Sequence, residues 1–337
     1  MIKSLFHHPV IHRVALAAVI YLSFSLTITN FGSAGNAYAI LESCALIGIV
    51  AAGLGVTMLA GELDLSVGSV AACAGMIAVS FSHYGVIIAV VAAIVPAVLF
   101  GVVQGIAIAR LQISSLVFTL GTFIGVRGLA YVLTNERTIT LALSDLSIST
   151  GLRARYLIFS PFSLLMIATL IFLGLVLRYT RLGREVYAIG GARKESRASG
   201  VSQIRPLIFS FAVSAGLAAL AGALASLRGG SATPVGYETL LLAAVTAALV
   251  GGVSVYGGRG SMAGVFIGVV TLQFLLAGLQ LLGAANWAAN LTTGAVLLIF
   301  LAVDIANGDS PVGIAMQRLK VRWQARRRGH SNSIARL

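Results

Sequence analysis

The chain has 337 residues, of which 58% are hydrophobic and 10% are charged, and its mean hydropathy is +0.98. Soluble domains carry about a quarter charged residues, so this composition excludes a water-soluble globule and predicts an integral membrane protein. The formal net charge of +13 comes from 23 Lys and Arg against 10 Asp and Glu. Because basic residues collect in the cytoplasmic loops of bilayer proteins, this excess does not call for a nucleic-acid partner.

Apolar runs that approach the length needed to cross a bilayer, about 20 residues, recur along the chain. The two shorter ones, residues 67–81 and 239–253, each adjoin a glycine-rich break and indicate interrupted helices. The sequence therefore predicts an all-α integral membrane protein, a polytopic bundle of about ten transmembrane helices of which some are broken by glycine-rich segments. The eight clearer runs are residues 14–31, 37–60, 85–109, 114–133, 157–177, 206–226, 261–282 and 288–303.

The basic residues predict the orientation of these spans. With ten crossings, most of the 23 fall on the same side as the N-terminus, largely in residues 178–205 and in the tail. The positive-inside rule then places both termini in the cytoplasm, with a cytoplasmic segment at 1–13, a transmembrane domain at 14–304 and a basic tail at 305–337. An alternative is a cleaved signal peptide ending at residues 37–39 (AYA), which leaves the other spans unchanged.

Charged residues in or beside the spans are candidates for a hydrophilic pathway. Glu42, Glu62, Asp64 and Arg127 are such residues, and each charge costs a few kcal/mol near the bilayer centre unless it faces protein or water. A snorkelling or paired structural charge is the alternative for Glu42 and Arg127. For Asp64 and the two serines that follow it, capping of a helix start is a further alternative.

A second interruption lies at residues 249–261 (LVGGVSVYGGRGS), where five glycines follow a short apolar run. Each glycine costs about 1 kcal/mol relative to alanine inside a helix, and non-helical backbone is tolerated in a bilayer only against protein or water. Two such breaks in corresponding halves are typical of repeat-built transporters, although glycines also serve close helix packing. The candidate pathway residues are Glu42, Glu62, Asp64, Ser66, Arg127, Ser254 and Tyr256.

The sequence lacks the patterns that catalysis would require. The five histidines show no metal-ligand spacing, and GxxxxGK[ST], HExxH and GxSxG are absent. We therefore expect a protein that is not an enzyme and holds no metal. The longest internal polar stretch, residues 178–205, contains a candidate helix at 192–198 ended by Gly200. This helix could dock a cytoplasmic partner, or the stretch could be a plain positive-inside loop.

Six segments in a shared order carry a family resemblance: residues 59–69 (LAGELDLSVGS), 119–134 (TLGTFIGVRGLAYVLT), 187–201 (YAIGGARKESRASGV), 218–223 (AALAGA), 249–264 (LVGGVSVYGGRGSMAG) and 297–304 (LLIFLAVD). They resemble permease subunits of bacterial ABC importers for monosaccharides. The wider family also contains branched-chain amino-acid permeases. Glu62 departs from this resemblance, because the family usually has glycine there.

The resemblance implies a permease domain that pairs with a second permease subunit, as a homodimer or heterodimer, in the lipid of a bacterial inner membrane. It also implies two cytoplasmic ATPase subunits, which would carry ATP and Mg, and a periplasmic sugar-binding protein, while this chain would hold no cofactor. The polar stretch would then be an ATPase-coupling loop. Its coupling residues would be Gly190, Gly191, Arg193, Lys194, Glu195, Arg197 and Gly200.

Four arginines on the outer side, Arg137, Arg153, Arg155 and Arg228, could dock acidic patches of the binding protein, or could be solvated loop charges. A branched-chain amino-acid or signalling-sugar permease of the same group is an alternative to a monosaccharide permease. A stand-alone ion-coupled transporter is another, with a carboxylate of the pathway set as its protonatable site.

Overall fold

The structure is a computed structural model that describes residues 9–306. Most of the predicted N-terminal segment and nearly all of the predicted basic tail lie outside these residues. The described part contains thirteen α-helices and two strands of two residues each, β1 at Ile139–Thr140 and β2 at Ser231–Ala232. The helices are α1 Pro9–Thr27, α2 Ala34–Leu59, α3 Val67–Ser80, α4 Val86–Leu111, α5 Ser115–Thr134, α6 Leu146–Leu152, α7 Pro161–Tyr179, α8 Arg181–Gly191, α9 Arg193–Ala198, α10 Ile204–Gly229, α11 Leu240–Val250, α12 Met262–Leu281 and α13 Asn286–Ala306.

The predicted bundle of about ten spans is confirmed. Eight of the described helices are long and apolar enough to cross a membrane, and α3 and α11 are shorter, with 14 and 11 residues. One start was predicted too early: the run at 157–177 becomes helical only at Pro161. Residues 156–159 form a turn in which Tyr156 and Phe159 exchange backbone hydrogen bonds, and Ser160 then caps α7 by accepting from the Ser163 amide.

Helix α2 lies in the centre of the bundle. Its residues from Gly48 to Leu59 are all buried, as expected of a helix that is apolar on every side. Helix α10 packs along α2, α3 and α4. Gly222 of α10 lies so close to the Ala71 carbonyl of α3 that a Cβ would overlap it. Small residues thus bring the two backbones into contact, which is how helices associate closely in lipid.

The outer helices enclose the two short ones. Helix α5 packs on α3, α13 packs on α11, and α7 packs on both α2 and α12. At one end of the bundle β1 pairs with β2 in antiparallel register, Ile139 opposite Ala232. At the other end α8 and α9 connect α7 to α10. Both helix breaks are held at the end that carries α8 and α9, since they contact these helices directly.

Candidate functional site

The two predicted helix breaks are present, and they contact each other. Helix α2 ends at Leu59, and the chain then turns through Gly61, whose φ is +76°, before α3 begins at Val67. The second break separates α11 from α12. Its Gly258 amide donates a hydrogen bond of 2.9 Å to the carbonyl of Leu59 at the end of α2. Two interruptions far apart in the sequence therefore form one structural unit.

Helix α8 joins this unit through a cluster that we call the glycine junction, formed by Gly61, Gly190, Gly191, Gly257 and Gly258. A Cβ on Gly190 would overlap the Leu59 carbonyl, so this position requires glycine. Beside the junction, the Tyr187 hydroxyl of α8 donates to the Gly260 carbonyl at 3.0 Å. Burial raises the pKa of the Tyr187 phenol. Backbone-to-backbone packing thus fixes α8 against both breaks.

Helix α9 follows at once and carries an ion pair to the first break. Nη2 of Arg193 lies 2.5 Å from Oε1 of Glu62 and 3.4 Å from the Ala60 carbonyl. The Glu62 side chain is only 9% exposed and that of Arg193 is 43% exposed. Two residues that the sequence assigned to different roles, pathway and coupling, are therefore in contact.

Apart from Ser196, which is buried and donates to the Ala188 carbonyl at 2.6 Å, the rest of α9 faces solvent. The predicted short helix is present as Arg193–Ala198, and Gly200 follows it with a φ of +80°. Lys194, Glu195 and Arg197 are exposed. An exposed charged surface thus adjoins the first break directly and the second break through α8.

Helix α8 was not predicted, although its sequence contains a signal for it. Its glycines suggest a loop, yet Leu182, Val186 and Ile189 recur at helical spacing. Val186 and Ile189 are buried, and the Thr180 hydroxyl caps the helix by accepting from the Gly183 amide. The glycines here serve close packing rather than turns.

Asp64 is fully buried in the first break and accepts hydrogen bonds on both oxygens. Oδ1 accepts from the Ser66 amide at 3.0 Å and the Ser66 hydroxyl at 2.6 Å, and Oδ2 accepts from the Ser214 hydroxyl at 2.8 Å. Capping by the Ser66 side chain was a wrong alternative. Ser66 occupies the N-cap position of α3, but its hydroxyl donates to Asp64 instead of accepting from the helix.

Side chains of α4 and α5 complete this polar cluster, and no local pattern in the sequence predicts them. Thr119 accepts from the Leu65 amide at 3.1 Å, and Gln104 donates to Ser66 at 3.3 Å and to Thr122 at 2.8 Å. Oε1 of Gln104 is buried, with no hydrogen-bond partner within residues 9–306. The cluster offers hydroxyl and amide groups beside a fully buried carboxylate.

A carboxylate of the last helix holds the second break. Asp304 of α13 accepts from the Ser254 hydroxyl at 3.0 Å and from the Val255 amide at 3.1 Å. Ser254 is buried, whereas Tyr256 is 38% exposed. Asp304 was not among the predicted site residues, although it ends the resemblance segment 297–304.

Arg127 is buried in α5 and contacts the segment that leads into α11. Its Nη1 donates to the carbonyls of Pro234 and Gly236, the second at 3.0 Å, and its guanidinium lies 5.5 Å from the centre of the Phe123 ring. These contacts join α5 to the segment that precedes α11.

Glu42 and Arg228 form a pair at the opposite end of the bundle from the glycine junction. Oε2 of Glu42 lies 2.5 Å from Nε of Arg228, and Oε1 accepts from the Ser160 hydroxyl. The Arg228 carbonyl accepts from Nε of Arg153 at 2.9 Å. A predicted pathway residue and a predicted docking residue are therefore partners.

The other arginines predicted for docking are more accessible. Arg137, Arg153 and Arg155 are exposed, and Arg155 lies over the Tyr38 ring at 5.3 Å.

Within residues 9–306 no group of three or more His, Cys, Asp or Glu could hold a metal ion.

Comparisons with known proteins identify the family of the chain. The family described as the permease component of branched-chain amino acid transport systems matches residues 36–301. The ribose import permease protein RbsC of Haemophilus influenzae is 32% identical over 301 residues, which cover 87% of this chain and 92% of that protein. The L-arabinose transport system permease protein AraH of Escherichia coli is 32% identical over 293 residues, covering 85% and 88%. RbsC of Bacillus subtilis is 30% identical over 271 residues, covering 80% and 84%.

No solved structure matches the chain significantly. The family match nevertheless spans both helix breaks, the glycine junction and helix α9. This protein, a multi-pass bundle of apolar helices, belongs to the family of branched-chain amino acid transport system permease components.

Proposed function

We propose that this chain is the permease subunit of an ATP-driven bacterial importer that takes up a monosaccharide. The named relatives are permeases for ribose and L-arabinose, which favours a sugar over an amino acid. In this proposal a second permease subunit, two cytoplasmic ATPase subunits holding ATP and Mg, and a periplasmic sugar-binding protein complete the importer. Both termini of the chain face the cytoplasm, as the basic residues indicate.

The observation that carries the proposal is the attachment of exposed helix α9 to the first helix break through Arg193 and, through the preceding helix α8, to both breaks. An ATPase bound to α9 would act on Glu62 through Arg193. It would act on Leu59 and Gly258 through Gly190, at the end of α8. Closure of the ATPase dimer on ATP would move α8 and α9 as one element. The ends of α2 and α11 would then shift, and the pore would change between outward and inward access.

The ion-coupled alternative has less support. Glu42 is paired with Arg228, and Glu62 is paired with Arg193. A proton-coupling carboxylate must gain and lose its charge during transport, whereas each of these two holds a cationic partner. Asp64 keeps only serine partners and is the remaining candidate for that mechanism.

Docking of the binding protein is proposed for the exposed arginines Arg137, Arg153 and Arg155. Arg228 has a lesser part in this surface, because its guanidinium pairs with the buried Glu42. Reversing Arg153 and Arg155 to glutamate should weaken association with the cognate binding protein at low salt, where exposed charges are screened least. Unchanged association at low salt would remove this assignment.

Coupling is tested by replacing residues 193–197 with a Gly/Ser segment. We expect the permease to insert normally but to lose its co-purifying ATPase and its uptake activity. Retained ATPase co-purification would contradict the assignment of α9.

Substrate class is tested separately, by screening the cognate binding protein against sugars and amino acids by thermal shift. Stabilisation by pentoses or hexoses is the expected result. Stabilisation by leucine or valine alone would support the amino-acid alternative instead.

A further inference from the structure

An open cleft outside the candidate site lies between α7, α8 and α12, with a volume of about 1020 Å³. Its wall on α7 is apolar, and the side chains that form it recur at helical spacing from Ile167 through Ile171 to Leu175. Ile171 and Leu175 are 58% and 52% exposed. Across the cleft, Phe266 of α12 supplies a further apolar surface.

One end of the cleft is basic. Arg178, in the last turn of α7, and Arg184, on α8, line this end and are both exposed. In the described part of the chain neither arginine is paired with a carboxylate. Arg181 lies between them in sequence but does not line the cleft, and its Nε pairs with Oε1 of Glu185 at 3.1 Å. Of these three arginines, the two that face the cleft are thus the two that have no carboxylate partner within residues 9–306.

The length of the cleft matches half a bilayer. The lining residues of α7 extend from Ile167 to Tyr179, a rise of about 18 Å at 1.5 Å per residue. One leaflet contributes about 15 Å to the hydrocarbon core. An acyl chain laid along this wall from the basic end would therefore remain beside apolar side chains over its whole length.

We propose that this cleft binds an anionic phospholipid, with the phosphate between Arg178 and Arg184 and an acyl chain against Ile171, Leu175 and Phe266. Charge complementarity selects this occupant, because basic pockets between membrane helices bind anionic headgroups. An apolar segment of a second copy of the chain would leave both guanidinium groups without a counter-ion.

The bound lipid would stabilise the position of α8, the helix that contacts both helix breaks. Arg184 and Tyr187 lie on the same helix, and the Tyr187 hydroxyl holds the Gly260 carbonyl of the second break. Lipid on one face of α8 therefore opposes rotation of this helix away from the glycine junction. Uptake by the assembled importer should accordingly be faster in bilayers that contain anionic lipid than in purely zwitterionic ones.

Native mass spectrometry of the purified full-length permease, titrated with phosphatidylglycerol or phosphatidylcholine, tests the site. We expect tighter binding of phosphatidylglycerol, and a tenfold or greater loss of its affinity in the double variant Arg178→Gln/Arg184→Gln. The matched control is Arg181→Gln, which removes a charge from the same helix outside the cleft and should retain parental affinity. Equal binding of the two lipids by the parent, or parental affinity in the double variant, would overturn the proposal.

A photoreactive side chain in place of Ile171 identifies the occupant directly. In bilayers containing phosphatidylglycerol, cross-linking to lipid is expected. Cross-linking chiefly to a second copy of the chain would overturn the proposal, because the cleft would then be a subunit interface.

Discussion

Nη2 of Arg193 lies 2.5 Å from Oε1 of Glu62, and this ion pair joins exposed helix α9 to the break between α2 and α3. Glu62 is a position where the sequence departs from the family it resembles. Its partner belongs to the helix that we propose as the ATPase contact. Glu62, which the sequence suggested as an isolated charge in a pathway, therefore links α9 to the membrane helices through its ion pair with Arg193.

Neutralising this pair should weaken transport without dissociating the importer. Arg193 is 43% exposed, so the pair contributes about 1 kcal/mol, which corresponds to a roughly fivefold change in rate if the link is used in the transport step. We expect Glu62→Gln and Arg193→Gln each to lower uptake by this amount, and the double variant to be no worse than either. Additive losses would show that the two residues act independently. Arg205→Gln, a neutralised exposed arginine on the next helix, is the control.

A methyl group at the glycine junction should be more damaging than the loss of the ion pair. A Cβ at Gly190 would overlap the carbonyl of Leu59, and forced backbone shifts of this kind cost about 1–3 kcal/mol. Gly190→Ala should lower the melting temperature of the purified protein and reduce uptake more than tenfold. Gly151→Ala is the matched control, because nothing lies within 4 Å of its Cβ position. Equal melting temperatures for the two variants would contradict the packing described for α8.

Asp64→Asn tests the buried carboxylate. Asp64 accepts three hydrogen bonds from two serines, and an amide nitrogen in place of one oxygen presents a donor where an acceptor is needed, at a cost of about 1–3 kcal/mol. We expect a clear fall in uptake. Cys73→Ser, also a conservative change at a buried residue, in the helix that follows the break, should have a smaller effect. Equal uptake by the two variants would leave Asp64 without a special role in transport.

Removing Arg228 should destabilise the fold. It would leave the carboxylate of Glu42, 6% exposed, without a charged partner. Breaking a fully buried pair costs about 3–5 kcal/mol, and because Arg228 is 31% exposed we expect about 2 kcal/mol for Arg228→Gln, measured as a lower midpoint of thermal unfolding. Arg137→Gln, at an exposed arginine of the same end of the bundle, should change this midpoint little. The double variant Glu42→Gln/Arg228→Gln should recover part of the loss, and no recovery would mean that the pair itself is not the cause.

The membrane class, the approximate spans and both breaks could be predicted from the sequence alone. These features follow from local properties of the sequence. A bilayer requires long apolar helices whose backbone hydrogen bonds are all made within the helix. The five glycines of residues 249–261 interrupt a helix whatever its tertiary contacts. The short helix at α9 was predicted for the same reason, because Gly200 marks its end locally. Helix α8 was missed because its glycines suggest turns. The structure shows instead that Gly190 allows the backbone of α8 to approach the carbonyl of Leu59.

Which charged and polar groups are partners could be seen only once the helices were packed in three dimensions. Glu62 pairs with Arg193, 131 residues away, and Glu42 pairs with Arg228, 186 residues away. Asp304 accepts a hydrogen bond from Ser254, 50 residues away. Such pairs arise from how helices pack, which no periodicity within one helix specifies. For the same reason the sequence could identify the scarce charges as important but could not distinguish a pathway residue from half of a structural pair.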